Sequence, residues 1–246
     1  MDRRLTPANG RAALDVLRGQ VVAERFVTGG PACLIQPVTD LRAAPDGTRD
    51  RQVLFGEAVT VIDRHSGYAF VQAAKDGYCG YVPEAALGPA TRPTHRVSAP
   101  ATHVYSGAKV QAPEVMALSF GSLVTVTGDA GKFAETPQGF IPAVHLRPVD
   151  APFPEPVAVA EMFLGTPYLW GGNSRFGIDC SGLVQTALVA CGKACPADSD
   201  HQRTVGVAVD DDAPLLRGDL LFWKGHVAMV VDDARLIHAN GHTMSV

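Results

Sequence analysis

The chain contains no run of roughly 18 or more apolar residues, so no segment reads as a membrane-spanning helix. It also lacks an excess of positive charge. Its 21 Lys and Arg face 25 Asp and Glu, a net charge of −4, which makes nucleic acid and anionic membranes poor partners. Arg3 and Arg4 could begin a secretory leader, but Asn9, Gly10, Arg11 and Asp15 interrupt the apolar stretch of roughly 7–15 residues that must follow. A cytoplasmic protein is expected. Cysteine is scarce: Cys33, Cys79, Cys180, Cys191 and Cys195 are odd in number and irregular in spacing, which argues against a disulfide framework. Cys191 and Cys195 lack the second ligand pair of a closed zinc site, so no metal and no other cofactor is expected.

What is present is an ordinary globular composition, 46% hydrophobic and 19% charged, over 246 residues, a length that allows one large domain or two to three small ones. Residues 7–27 carry apolar positions at helical spacing (Ala13, Leu14, Val16, Leu17, Val21, Val22) behind Thr6-Pro7, which suits a helix start, and the segment 1–30 is expected to be helical. Then comes a repeat. "FGEAVTVIDRHSGYAFVQAAKDGYCGYVPEAAL", residues 55–87, and "FGSLVTVTGDAGKFAETPQGFIPAVHL", residues 120–146, share Phe-Gly, Val-Thr-Val, a Gly turn, Gly-aromatic-β-branched-Pro and a closing Leu. Short strands with Gly-rich turns suggest two small β-barrels, 31–90 and 91–150. "GPATRPTH" links them, and the stiffer "RPVDAPFPEP" leads into a last domain, 151–246.

That last domain reads as α+β. Residues 157–164 are expected to form one helix, and "DCSGLVQTALVACG" a second, closed by Gly192; "GDLLFW", "HVAMVV" and "RLIHA" are expected to be strands. The chain stops at "HTMSV", which looks like the inside of another strand, so a missing C-terminal piece is suspected. A lone cysteine at a helix start is more often an inert core residue than a nucleophile. Cys180, however, stands between Asp179 and Ser181, behind a loop opened by Gly171, Gly172 and Gly177. Free N–H groups at a helix N-terminus lower a thiol pKa and can hold an oxyanion. His226 after a Gly turn and His238 twelve residues on can fall side by side on neighbouring strands, one polarising the other.

"GTPYLWGGNSRFGIDCSGLVQ", "RGDLLFWKGHVAMVV" and "RLIHANG", in that order, resemble the NlpC/P60 family of cysteine peptidases. The resemblance implies a papain-like catalytic domain, with Cys180 as nucleophile, His226 as base, His238 as orienting residue and Tyr168 near the oxyanion site. The repeats then look like two SH3-like (SH3b) barrels. With "PADSDHQ", they make the chain similar to the γ-D-glutamyl-L-diamino-acid endopeptidases within that family; Ala197 replaces an Arg often found there. The implied substrates are murein peptides such as L-Ala-γ-D-Glu-diaminopimelate with a free N-terminal amine. Glu57, Tyr78 and Asp179 would receive the amine, and Ser181 and Ser199 the D-Glu α-carboxylate; the second repeat has Ser122 where the first has Glu57. A monomer working in cell-wall peptide recycling is expected. A murein-binding module with an inactive third domain, and an acyltransferase or amidase on the same scaffold, are the rival classes.

Overall fold

Gly10 and Gly19 adopt positive φ, 84° and 80°, and break up the stretch expected to be helical. The computed structural model describes residues 1–210 and 212–246. In it the N-terminal segment forms a strand Ala12–Leu14, a 3-10 turn Asp15–Leu17 and a strand Arg25–Val27, the two strands pairing in parallel. The helical expectation for 1–30 is therefore corrected. Long-range contacts override the local periodicity. Arg11 and Arg25 both pair with the buried Asp63, Asn9 donates to it as well, and Ala12 packs with Ile62, Phe70 and Cys79.

The chain divides into two units, Met1–Val149 and Asp150–Val246. The first is nearly all strand. Its seven-stranded sheet runs in the order Arg49–Leu54, Val38–Arg42, Cys79–Pro83, Tyr68–Ala73, Ala58–His65, Gly30–Leu34, Leu87–Pro89. The second copy of the repeat reuses the same pairings. Ala101–Tyr105 pairs with Glu114–Ser119, Phe133–Thr136 with Gly139–Pro142, and His95–Val97 with Leu146–Pro148. Each copy leaves its last hairpin through a Pro into a 3-10 turn, Glu84–Ala86 or Ala143–His145, and then into the closing strand. Each Phe-Gly turn places its Gly at positive φ, 78° at Gly56 and 86° at Gly121.

Neither copy closes into a barrel, which corrects the expectation of two barrels. In the first copy, Arg49–Leu54 and Leu87–Pro89 end the sheet without pairing to each other among the described residues. In the second, the counterpart of the long strand Ala58–His65 is split into Leu123–Val124 and Gly128–Ala130, and the sheet separates into three- and five-stranded parts. The copies are nevertheless fused. Phe55 of the first sits in the core of the second with Val97, Val104, Leu118, Val124 and Ile141, a burial of about 1.5–3 kcal/mol. A Cβ on Gly56 would come within 2.0 Å of the Leu123 carbonyl oxygen, so only glycine allows this approach.

The second unit has helix α1 (Pro156–Glu161), helix α2 (Cys180–Ala190), short helix α3 (Ser199–Gln202) and a three-stranded antiparallel sheet. Glu155 caps α1 by accepting from Val157 N and Ala158 N, with Pro156 at the first helical position. Helix α1 ends earlier than expected. Helix α2 ends just before Gly192, at φ 75°, as expected. The sheet order is Leu220–Trp223, His226–Val230, Leu236–Ile237. Its central strand, buried from Val227 to Val230, lies against α2. The end of the chain forms isolated bridges, Ser245 to Pro167 and to Asn240, rather than a continuous strand. No helix among the described residues is long and apolar enough to cross a membrane.

Candidate active site

The loop read as glycine-rich folds as a tight hairpin, Asn173–Ser174 paired with Gly177–Ile178, and delivers the chain into α2. Asp179 is the N-cap of α2. Its Oδ1 accepts from Gly182 N at 2.7 Å and from the Ser181 hydroxyl at 3.1 Å, and its Oδ2 accepts from Gly171 N at 2.9 Å. The carboxylate thus locks the loop to the first turn of the helix. A Cβ on Gly182 would lie 2.5 Å from the Gly172 carbonyl oxygen, so the helix start is packed onto that loop with no room for a side chain.

Cys180 is the first residue of α2 and is buried, 7% exposed. Burial, then the negative charge of Asp179, push its thiol above the ordinary value; the backbone N–H groups of Val227, Ser181 and Cys180 itself pull the other way. Val227, whose N–H acts on the thiol, directly follows His226 in the central strand. That strand begins with a tight hairpin in which Trp223 pairs with His226 across Lys224-Gly225. The Met229–Ile237 and Val230–Leu236 register, continued outward, sets His238 opposite Ala228, so His226 and His238 share a face as diagonal neighbours. His226 Nε2 and His238 Nδ1 are 2.7 Å apart and share a hydrogen bond. This leaves Nδ1 of His226 outside that bond. Burial, then the neighbouring His238, hold the His226 pKa below its ordinary value. Both shifts favour a resting pair of neutral thiol and neutral imidazole.

Tyr168 is half-buried, bridged to Ile178 just before Asp179. Burial, then the negative charge of Asp179 and the nearby Cys180, raise its pKa, so the phenol keeps its proton and remains a donor at neutral pH. Ser199 opens α3, and that helix is tied to the start of α2 by Gln202. The Gln202 amide donates to Ser181 O and Pro196 O, both at 2.9 Å. Gln202 was not singled out in the sequence. Its one available signal was a glutamine closing the polar run "PADSDHQ", and its complete burial is a tertiary fact. Asp198, Asp200 and His201 bring potential ligand atoms within 4.8 Å of one another on exposed or half-buried surface, and all five cysteines are free thiols.

Glu57 and Tyr78 belong to the first unit. Glu57 follows the Phe-Gly turn and is buried, 6% exposed, with Oε1 accepting from Lys75 Nζ at 2.7 Å. Tyr78 is closed off from solvent, 2% exposed, its ring 5.5 Å from the Arg51 guanidinium. Its backbone N donates to Asp76, which pairs with Arg51.

A family model described as the bacterial dipeptidyl-peptidase SH3 domain matches residues 41–87, and the NlpC/P60 family model matches residues 165–246. The chain is 31% identical over 225 residues to a γ-D-glutamyl-L-lysine dipeptidyl-peptidase of Bacillus cereus (strain ATCC 10987 / NRS 248), covering 77% of this chain and 67% of the relative. It is 30% identical over 221 residues to the enzyme of the same name from Bacillus subtilis (strain 168), covering 79% and 73%. A crystal structure of an NlpC/P60 family protein from Bacillus cereus ATCC 10987 superposes with a TM-score of 0.76 at 24% identity, covering 88% of this chain and 93% of that one, which is a likeness of fold. With a helix-start cysteine set against a strand that carries a paired histidine, these matches lead to one conclusion: the chain belongs to the NlpC/P60 family of cysteine peptidases.

Proposed function

We propose that this chain is a cysteine endopeptidase that cuts the γ-D-Glu–diamino acid bond of murein-derived peptides with a free N-terminal L-Ala. The observation that carries the proposal is the 2.7 Å His226–His238 hydrogen bond on the strand that backs Cys180. The names of the relatives at 31% and 30% identity support the substrate class.

In the proposed reaction, Cys180 Sγ attacks the γ-carbonyl carbon of D-Glu as His226 Nδ1 takes the thiol proton. The resting pair is neutral, so proton transfer accompanies attack. The Tyr168 hydroxyl and the N–H groups at the start of α2 stabilise the tetrahedral oxyanion. His226 returns the proton to the departing amine of the diamino acid, leaving a thioester on Cys180. Water then attacks the thioester, giving its proton to His226, and the thiol and the L-Ala-D-Glu product are released. Ser181 and Ser199 bind the α-carboxylate of D-Glu. Glu57, Tyr78 and Asp179 recognise the ammonium of L-Ala, and the enclosed Oε2 of Glu57 supports this, because Lys75 meets only Oε1 and a buried acceptor calls for a donor. A monomer acting on released peptides in the cytoplasm, as in wall-peptide recycling, completes the proposal.

The test is kcat/KM on L-Ala-γ-D-Glu-L-Lys and on its N-acetyl form, with products identified by mass spectrometry. Cleavage after D-Glu with a preference for the free amine of roughly 30-fold or more is expected. Equal rates would refute amine recognition, and no cleavage of either peptide would refute the substrate class.

A further inference from the structure

Glu57 is held from one side only. Its Oε1 accepts from Lys75, while Oε2 is enclosed and has no hydrogen-bond partner. An ion pair that served stability alone would leave its second oxygen in water or bond it, since a buried acceptor without a partner is destabilising. Lys75 sits on a turn that is itself immobilised. Ala73 N donates to Tyr78 O at 2.8 Å, Gly77 N to Ala73 O at 2.9 Å, and Tyr78 N to Asp76 Oδ1 at 3.1 Å, while the Asp76 carboxylate is clamped by buried Arg51. Ala74 N donates to Ala58 O at 2.9 Å, joining this turn to the one that carries Glu57.

The repeat supplies an internal control. In the second copy the corresponding hairpin, Phe133–Thr136 to Gly139–Pro142, turns through Pro137-Gln138 alone, and Ser122 stands in the place of Glu57. The carboxylate and the lysine-bearing turn are present together in the first copy and absent together from the second.

We propose that Lys75 is a positioning residue for amine recognition: it holds Oε1 of Glu57 so that Oε2 is presented to the substrate ammonium. This rests on the assignment of Glu57 above. The Lys75–Glu57 pair is neutral as a unit, so discrimination comes from hydrogen bonding as much as from charge. An ammonium offers three N–H donors to the waiting oxygen, an acylated amine one.

The experiment compares Lys75→Met, Lys75→Gln, Lys75→Arg and Glu57→Gln in the full chain, on the free-amine and N-acetyl peptides. Lys75→Met is expected to raise KM for the free-amine peptide about tenfold or more at little-changed kcat, and to shrink the free-amine preference. Lys75→Arg restores both, which a loss of packing would not allow. If Lys75→Met does not fold, Lys75→Gln, which keeps an N–H donor but no charge, decides with a smaller rise in KM. Wild-type KM and preference in the folded lysine variants, with the preference lost in Glu57→Gln, would overturn the role of Lys75 alone. An unchanged preference in Glu57→Gln would overturn the assignment of Glu57 and the role of Lys75 together.

Discussion

Replacing His238 by alanine removes two things from His226, a hydrogen bond and a neighbouring charge, and they act on different observables. The 2.7 Å bond joins two half-buried rings whose centroids are 5.0 Å apart. Its net worth is about 0.5–1.5 kcal/mol, and a base ring free to rotate loses its aim at the thiol as well. Together these amount to about 1.4–2.7 kcal/mol, or roughly 10- to 100-fold in kcat. His238→Asn, which keeps a polar partner, should recover part of the loss. The pH profile carries the second effect. In the proposed reaction His226 must be neutral to accept the thiol proton, so activity is expected to fail as the pH falls through its pKa. Burial, and after it His238, hold that pKa below the ordinary histidine value. Removing His238 lets it rise, so the acid limb of kcat/KM should move to higher pH. The assay is a pH series of initial rates on L-Ala-γ-D-Glu-L-Lys for wild type and both variants, with melting curves as a control for folding. An acid limb that stays put or moves to lower pH, or a kcat within twofold of wild type, would falsify the coupling of the two rings.

Three further outcomes are expected. Cys180→Ala abolishes turnover without unfolding the chain, and iodoacetamide labelling of Cys180 is slow at neutral pH and speeds up as pH rises, because burial and Asp179 keep the thiol protonated; peptide mapping after timed labelling checks this, and fast labelling at pH 7 contradicts it. Asp63→Asn, which deprives Arg11 and Arg25 of their shared partner, costs about 1–2 kcal/mol in urea unfolding, the exposed halves of both arginines softening the loss. Burial raises the Asp63 pKa, but Asn9, Arg11 and Arg25 outweigh it and leave the carboxyl below its ordinary value, so its contribution is present above the usual carboxylate range and lost as pH falls through the folded pKa; a variant whose stability deficit persists unchanged at low pH contradicts this. Gly182→Ala drives a methyl to 2.5 Å from the Gly172 carbonyl and costs about 1–3 kcal/mol along with activity, and a melt equal to wild type contradicts it.

The sequence by itself determined the features whose physics is local. Helix α2 is legible from its apolar spacing and the glycine after it, and Cys180 from its place at that helix start between Asp179 and Ser181. The repeat is legible because its Phe-Gly turns and its Pro-terminated hairpins need particular residues at particular positions. Only the tertiary structure decided what depends on residues far apart in the chain. Residues 7–27 have a helical pattern, yet Asp63 draws Arg11 and Arg25 into parallel strands, and no window around Arg11 contains Asp63. The first sheet stays open because its two end strands do not pair among the described residues, and the second because it breaks the strand that the first keeps whole, a difference the shared Val-Thr-Val motif conceals. His226 and His238 were legible as neighbours, but their diagonal placement came from the strand register, and the ring nitrogens that meet came from the fold. Nothing local marks Gln202, which α3 brings against the start of α2, or Lys75, whose turn closes on Glu57. In each case the deciding energy lies in a contact between segments that local patterning treats separately.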